Sequence, residues 1–242
     1  MEPSAYEIEA RIQTSHWWFA VRRKLLKNIL CSLNLPRETL AIDAGCGVAS
    51  NLSVLETFPL KAIGCDRSFQ NLLMAKMKFF LPLINGDLEH LPIRSCSIDL
   101  VIATDVLEHL EDDITGVREL HRVLRPNAHL IVTVPAFHSL RGIQDIVTGH
   151  KRRYLKQDIS NVLRQNGFRI TRSSYFNFFL FFPIFLARRF IHLFGLQLRS
   201  ENEINFPLLN SLLKTIFSLE LPLLKYVTFP FGVSIFCVAQ KQ

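Results

Sequence analysis

Four aspartates, each standing just after a run of apolar residues, are the side chains of this sequence best suited to hold a ligand. Asp43 sits in LAIDAGCGVAS beside Gly45 and Gly47, Asp66 follows LKAIGC, Asp87 follows LPLING and Asp105 follows IDLVIAT. Glycines at the first position permit a tight turn and the close approach of a ligand to the backbone. Asp66 lies 21 positions beyond Gly45, where an acid meets ribose hydroxyls, and Asp87 is placed to touch an adenine edge. Arg67 follows Asp66 and joins the candidate cofactor set. Any one of the four aspartates serves equally well as a turn or helix cap. All four at successive strand ends argue for one ligand, because open parallel sheets bind at the carboxyl ends of their strands.

Charge selects among nucleotides. A dinucleotide brings an anionic pyrophosphate to the first turn, and Asp43 would repel it. S-adenosylmethionine carries no phosphate and offers an ammonium and a sulfonium that Asp43 would attract. A third glycine of the dinucleotide pattern is missing near Asn51. An NAD-dependent oxidoreductase is therefore the weaker reading, and S-adenosylmethionine is the expected cofactor.

For chemistry, His109 follows the Asp105 strand, near the expected cofactor face; capping or packing of the next helix is its competing role. His138, Asp145, His150, Arg153 and Tyr154 cluster after the next strand, in the loop that reaches over an acceptor. Within GHKRRY, Lys151–Arg153 suit a phosphate or carboxylate of a substrate, with a solvated basic loop as the plain alternative. His109 and His150 are the catalytic candidates, and His138, Asp145, Arg153 and Tyr154 the substrate candidates. Five dispersed cysteines without a CxxC pair predict neither a disulfide framework nor a zinc site, and no metal is expected. Thr104-Asp105-Val106-Leu107 stands where a nucleobase amino-methylating enzyme would carry an Asn/Asp-Pro-Pro-aromatic tetrad, so nucleic acid is not an expected substrate.

The elements that must position these residues alternate. Strands are expected at Leu40–Ala44, Leu60–Cys65, Pro82–Gly86, Ile98–Thr104 and Ala128–Val134. Helices are expected at 4–30 with Ser4 as cap, and at Ser50–Phe58, Phe69–Lys78, Asp113–Leu124 and Lys156–Gln165. This is the α/β class, a Rossmann-like doubly wound and mostly parallel sheet. Phe168–Tyr175 and Val233–Ala239 are expected to add an antiparallel C-terminal edge. Residues 1–38 read as an N-terminal helix or lid, 39–175 with 232–242 as the cofactor domain, and 176–231 as a hydrophobic helical insertion.

That insertion explains an apolar share of 49% and 20 phenylalanines, high for a purely soluble enzyme. FNFFLFFPIFLARRFIHLFGL is nearly all apolar, yet its longest unbroken run, Phe178–Ala187, falls well short of the ~18 residues a spanning helix needs. Farther on, Leu209, Leu212, Leu213, Ile216 and Phe217 share one helical face, with Asn210, Lys214 and Ser218 opposite. The formal net charge of +7, with Trp17, Trp18, Arg22–Lys24, Arg188 and Arg189 near apolar stretches, suits an interfacial anchor on an anionic membrane surface. The polar, acidic start shows no secretory signal, so a cytoplasmic protein, peripheral to the inner face of a membrane, is expected.

On these motifs, residues 39–134 resemble the class I methyltransferases that use S-adenosylmethionine, in particular the type 11 group with a fourth strand like DLVIATDVLEHL. The resemblance implies that Asp43–Ala49 holds the methionine part and Asp66 the ribose, that Asp87 and Leu88 lie by the adenine, and that Thr104–Asp105 closes the floor. Ala49 departs from the family, which usually has a third glycine there. EARIQTSHWWFAVRRKLL, DIVTGHKRRYLKQDI and FPFGVSIFCVAQK are similar to a bacterial branch tied to surface polysaccharide and lipid-linked glycan pathways. The expectation is O-methylation of a small or lipid-linked acceptor at a membrane surface. The rival is a non-catalytic cofactor-binding subunit that tethers a partner enzyme to the membrane.

Overall fold

The computed structural model describes residues 13, 15–194 and 206–242. Helix α1 runs Trp17–Ser32, with the His16 imidazole accepting from the Trp18 N–H at 3.4 Å. Of the helix expected at 4–30, Ser4 and the other residues up to 12, with 14, lie outside the described residues; 13, 15 and 16 are not helical, so the helix starts later than expected. The apolar side chains Trp17, Val21, Leu25, Leu26, Ile29 and Leu30 make its buried face.

A seven-stranded sheet forms the centre. Its strands are β1 (Leu40–Ala44), β2 (Lys61–Asp66), β3 (Leu83–Asn85), β4 (Ile98–Thr104), β5 (Leu124–Pro135), β6 (Phe168–Phe176) and β7 (Ser234–Lys241). The order across the sheet is β3-β2-β1-β4-β5-β7-β6. The first five are parallel, and β7 runs antiparallel between β5 and β6. The antiparallel pair thus closes one side of the sheet, with β6 outermost and the C-terminal strand inside it. The strand order reverses between β1 and β4, so their carboxyl ends diverge and leave a crevice there. Ile42, Leu100, Val101, Ile102, Leu130 and Ile131 are fully buried, as a sheet covered on both faces requires.

The crossover helices are α2 (Leu52–Leu55), α3 (Phe69–Lys76) and α4 (Asp113–Val123), followed by α5 (Ile143–Thr148) and α6 (Lys156–Gln165). Ser68 caps α3, and Asp112 caps α4 by accepting from the Ile114 and Thr115 N–H groups. Between β6 and β7 come α7 (Phe181–Leu193), α8 (Pro207–Ser218) and the single turn α9 (Glu220–Leu223). Phe217 of α8 is fully buried, its ring 5.9 Å from those of Trp17 and Trp18 and 6.2 Å from that of Phe176. Asn210, expected on the outer polar face, instead turns to α1. It accepts from the Trp17 N–H at 2.7 Å and donates to the Ser15 carbonyl, satisfying a helix start that lacks its own donor partners. Glu220 is buried and accepts from the Asn177 and Phe178 N–H groups at the exit of β6, where burial pushes its carboxyl up to about 7. Leu212 stays exposed despite its place in the expected apolar face, and α7 buries none of its residues.

Candidate active site

One cavity of about 480 Å³ opens at the crevice. Its first wall is the turn after β1. Gly45 and Gly47 have φ of +78° and +55°, a region where a side chain is strained. A methyl group on Gly45 would lie 2.5 Å from Val106 Cγ2, whereas one on Gly47 would meet nothing within 4 Å. The first glycine allows chain packing, and the second leaves open space beside the backbone. Ala49 shares the left-handed geometry at φ +68° without being glycine.

Asp43 is fully buried beneath this turn. Its Oδ1 accepts from Asn51 Nδ2 at 3.4 Å, while Oδ2 has no hydrogen-bond partner among the described residues. Burial, only partly offset by Asn51, pushes the Asp43 carboxyl up to about 7. Asn51 also donates to Thr104 Oγ1 at 2.8 Å, so it ties the ends of β1 and β4. Asp66 turns back to the same loop, accepting from the Gly47 N–H and the Ser68 N–H, each at 2.8 Å. Arg67 and Thr104 line the cavity too. Asp87 and Leu88 do not. Asp87 accepts from the Glu89 N–H within its own turn, and Leu88 is buried in the core.

The second wall carries the ionisable side chains. Asp105, at φ +52°, pairs with Arg22 of α1, and Arg22 also donates to Thr133 Oγ1 at 2.7 Å. The one-turn helix Leu107–His109 then places Glu108 and His109 on the cavity wall. Burial, together with nearby His150, lowers His109 to about 4 and keeps it neutral. Its ring meets that of His150 edge-on at 4.8 Å between centroids. His150 Nδ1 lies 2.8 Å from Asp145 Oδ1, and Nε2 lies 3.9 Å from Glu108 Oε1. Glu108 is fully buried, with no hydrogen-bond partner for either carboxylate oxygen among the described residues. Burial, reinforced by Asp105, raises its carboxyl well above the usual range.

The basic loop behaves otherwise than its sequence suggests. Lys151 pairs with Glu111, Arg152 with Asp113 at 2.7 Å, and Arg153 with Asp145 through Nε at 2.7 Å and Nη2 at 3.0 Å. An anion site for a substrate gives way to internal ion pairs: Glu111 and Asp113 come from before β5, and Asp145 from α5 just ahead of the loop. Asp145 is buried; burial alone would raise its carboxyl, but hydrogen bonds from His150 and Arg153 hold it well below the usual range. Tyr154 is a buried tether, donating to Asp113 Oδ2 at 2.7 Å, and His138 is exposed on a turn outside the cavity. Glu108 and Asn51 were not among the sequence candidates; the one available signal was Glu108 lying beside His109 after a buried strand.

Residues 42–132 match a family model described as a methyltransferase domain. Over these residues the chain is similar to S-adenosylmethionine-dependent methyltransferases. It is 26% identical over 160 residues to a probable S-adenosylmethionine-dependent methyltransferase of Mycolicibacterium smegmatis, covering 64% of this chain and 60% of that one. It is 27% identical over 127 residues to demethylmenaquinone methyltransferase of Staphylococcus epidermidis, covering 47% and 53% respectively. The chain therefore spans between half and two thirds of the length of these relatives. The crystal structure of a SAM-dependent methyltransferase from Archaeoglobus fulgidus superposes with a TM-score of 0.58 at 17% identity, over 90% of this chain and 94% of that one.

The cofactor that the matched methyltransferase domain implies is S-adenosylmethionine. The residues fit it: a buried carboxylate oxygen of Asp43, without a partner among the described residues, lies under a glycine turn with open space beside Gly47. A cationic ligand is the natural complement of such an oxygen.

Proposed function

We propose that this methyltransferase acts on an oxygen of a small or lipid-linked amphipathic acceptor at a membrane surface. The observation that carries the reading is the continuity of the cavity. Its wall passes from Gly45, Gly47 and Asp66 to Glu108, His109 and His150, then to the apolar side chains Ile184, Ala187 and Ile191 of α7 and Leu209 and Leu213 of α8. The same two helices expose Phe182, Leu186, Phe190 and Leu193 of α7 and Leu208 and Leu212 of α8. An acceptor with an apolar tail would thus have its tail lined and its head delivered to the polar wall. No described helix is long and apolar enough to cross a membrane, so the proposed attachment is interfacial.

The bound cofactor supplies an electrophilic methyl group. Asp43, Gly45, Gly47 and Asp66 would hold it, and Thr104 with Asp105 fixes the floor beside it. Asp87 and Leu88, set back from the cavity, contribute by shaping the loop after β3. The protein's part in the displacement is positioning and exclusion of water. Trp17 and Trp18 of α1 and the side chains of α7 and α8 cover the cavity for that purpose. His109 and His150 serve the reacting oxygen, with Asp145 orienting the His150 ring. The demethylmenaquinone methyltransferase among the relatives supports a small organic acceptor.

The test is transfer of label from methyl-labelled cofactor into lipid and glycan extracts. Label in an organic-soluble product is expected. Cofactor binding with no transfer into any extract would reject the enzyme reading in favour of a tethering subunit.

A further inference from the structure

Three side chains on the acceptor wall have an arrangement that proton transfer alone does not require. Glu108 Oε, a ring nitrogen of His109 and a ring nitrogen of His150 lie within 4.8 Å of one another. All three residues line the cavity. We propose that Glu108, His109 and His150 bind a divalent transition-metal cation, which receives the acceptor's oxygen.

The donor set is the first argument. Two imidazoles and a carboxylate suit zinc, cobalt, manganese or iron and poorly suit magnesium, which prefers oxygen ligands and water. Donor atoms about 3–4 Å apart are what bonds of ~2.0–2.2 Å to one centre produce, and the 3.9 Å between His150 Nε2 and Glu108 Oε1 is already in that range. Three protein ligands facing a cavity leave a coordination position open.

The second argument is the support around the donors. Metal-bound histidines commonly donate their other ring N–H to a carboxylate, which fixes the tautomer and the ring plane. His150 has that arrangement: Nδ1 is 2.8 Å from Asp145 Oδ1, so a proton held there leaves a lone pair on Nε2, which lies 3.9 Å from Glu108 Oε1. Asp145 is held in turn by Arg153 and the Gly142 N–H.

The third argument is Glu108 itself. A fully buried carboxyl with no hydrogen-bond partner for either oxygen among the described residues is costly unless something else satisfies it. Arg22, Arg153 and Asp105 are its charged neighbours, and each cation is engaged by another carboxylate: Arg22 by Asp105 and Arg153 by Asp145. A cation between Glu108 and the two histidines would satisfy it.

This deepens the acceptor-wall reading, in which His109 and His150 act on the acceptor's oxygen, now through the metal. The experiment reads metal without acceptor, so its failure leaves methyl transfer standing. The full chain, free of any histidine tag and stripped with chelator, is titrated with cobalt(II) near neutral pH. Visible cobalt absorption saturating at one equivalent, displaced by zinc, is the expected result. Glu108→Gln and His109→Gln should each weaken cobalt binding at least about tenfold, and zinc should raise the Tm of the parent chain but not of either variant. No visible absorption at millimolar cobalt, or equal affinity in the parent and both folded variants, overturns the proposal. Should one variant fail to fold, the other decides.

Discussion

Arg153 lies flat against Asp145, with Nε and Nη2 donating to the two carboxylate oxygens at 2.7 and 3.0 Å, and both side chains are buried. Nη1 of the same guanidinium donates to the Ala136 carbonyl at 2.7 Å, joining the acceptor loop to the end of β5. The arginine is therefore a fastener, and its loss acts on folding before it acts on catalysis. Arg153→Ala leaves a buried carboxylate without its main partner, and breaking such a pair costs about 3–5 kcal/mol. Urea denaturation should show a drop of that size, with Arg153→Lys recovering only part of it because an ammonium cannot make the paired contact. A variant as stable as the parent would contradict the structural role.

Asp43 gives cofactor affinity a pH dependence of predictable sign. Burial raises its carboxyl from an ordinary 3.8 to about 7 in the fold. The neutral form thus favours folding, and that contribution is lost as pH climbs through about 7. A cationic ligand needs the ionised form. Affinity for S-adenosylmethionine should therefore rise about tenfold between pH 6 and pH 8, as the ionised fraction grows. Trp17 and Trp18 are the only tryptophans of the chain and both line the cavity, so intrinsic fluorescence can follow the titration. Asp43→Asn should bind weakly with a flat profile. A parent profile equally flat would remove Asp43 from the ligand's electrostatics.

Ala49 stands in left-handed geometry at φ +68° and is fully buried. The Cβ costs about 1–2 kcal/mol there, while its burial returns roughly 0.8 kcal/mol. Ala49→Gly should accordingly stabilise the chain by about 0.2–1.2 kcal/mol. Thermal unfolding should move up by at most about 5 °C, and cofactor binding should be equal or tighter because the turn relaxes. A lower Tm would show that the methyl group's packing dominates its backbone strain.

Local patterns revealed the elements, and long-range pairing hid the site's finer parts. β4 and α6 fall on the residues their periodicity indicates, Ile98–Thr104 and Lys156–Gln165, because each pattern is complete within its own segment. The helix expected at 50–58 is reduced to Leu52–Leu55, following the left-handed Ala49 and preceding Pro59. GHKRRY reads as an exposed anion site because Glu111 and Asp113, the partners of Lys151 and Arg152, lie before β5, and because the pairing of nearby Asp145 with Arg153 appears only in the fold. Asn51 gains its role from Asp43 and Thr104, residues eight before it and 53 beyond it. Asn210 is polar in an apolar helix for a reason that lies in α1, 193 residues away.

The outer face of α7 carries the membrane proposal. Leu186 is 63% exposed and Phe190 56% exposed, and Arg189 stacks over Phe185 at 5.3 Å, keeping its charge beside the apolar surface. Neither Leu186 nor Phe190 lines the cavity, so replacing them tests attachment apart from chemistry. The parent chain should float with vesicles containing anionic lipid, drawn by apolar insertion and by its positive charge. Leu186→Glu with Phe190→Glu puts two like charges where the chain would meet that surface. The double variant should stay in the soluble fraction while its circular dichroism and cofactor affinity match the parent, since neither side chain is part of the core. If the parent itself remains at the bottom of the gradient, these helices have another partner, and the apolar wall of the cavity alone must account for acceptor choice.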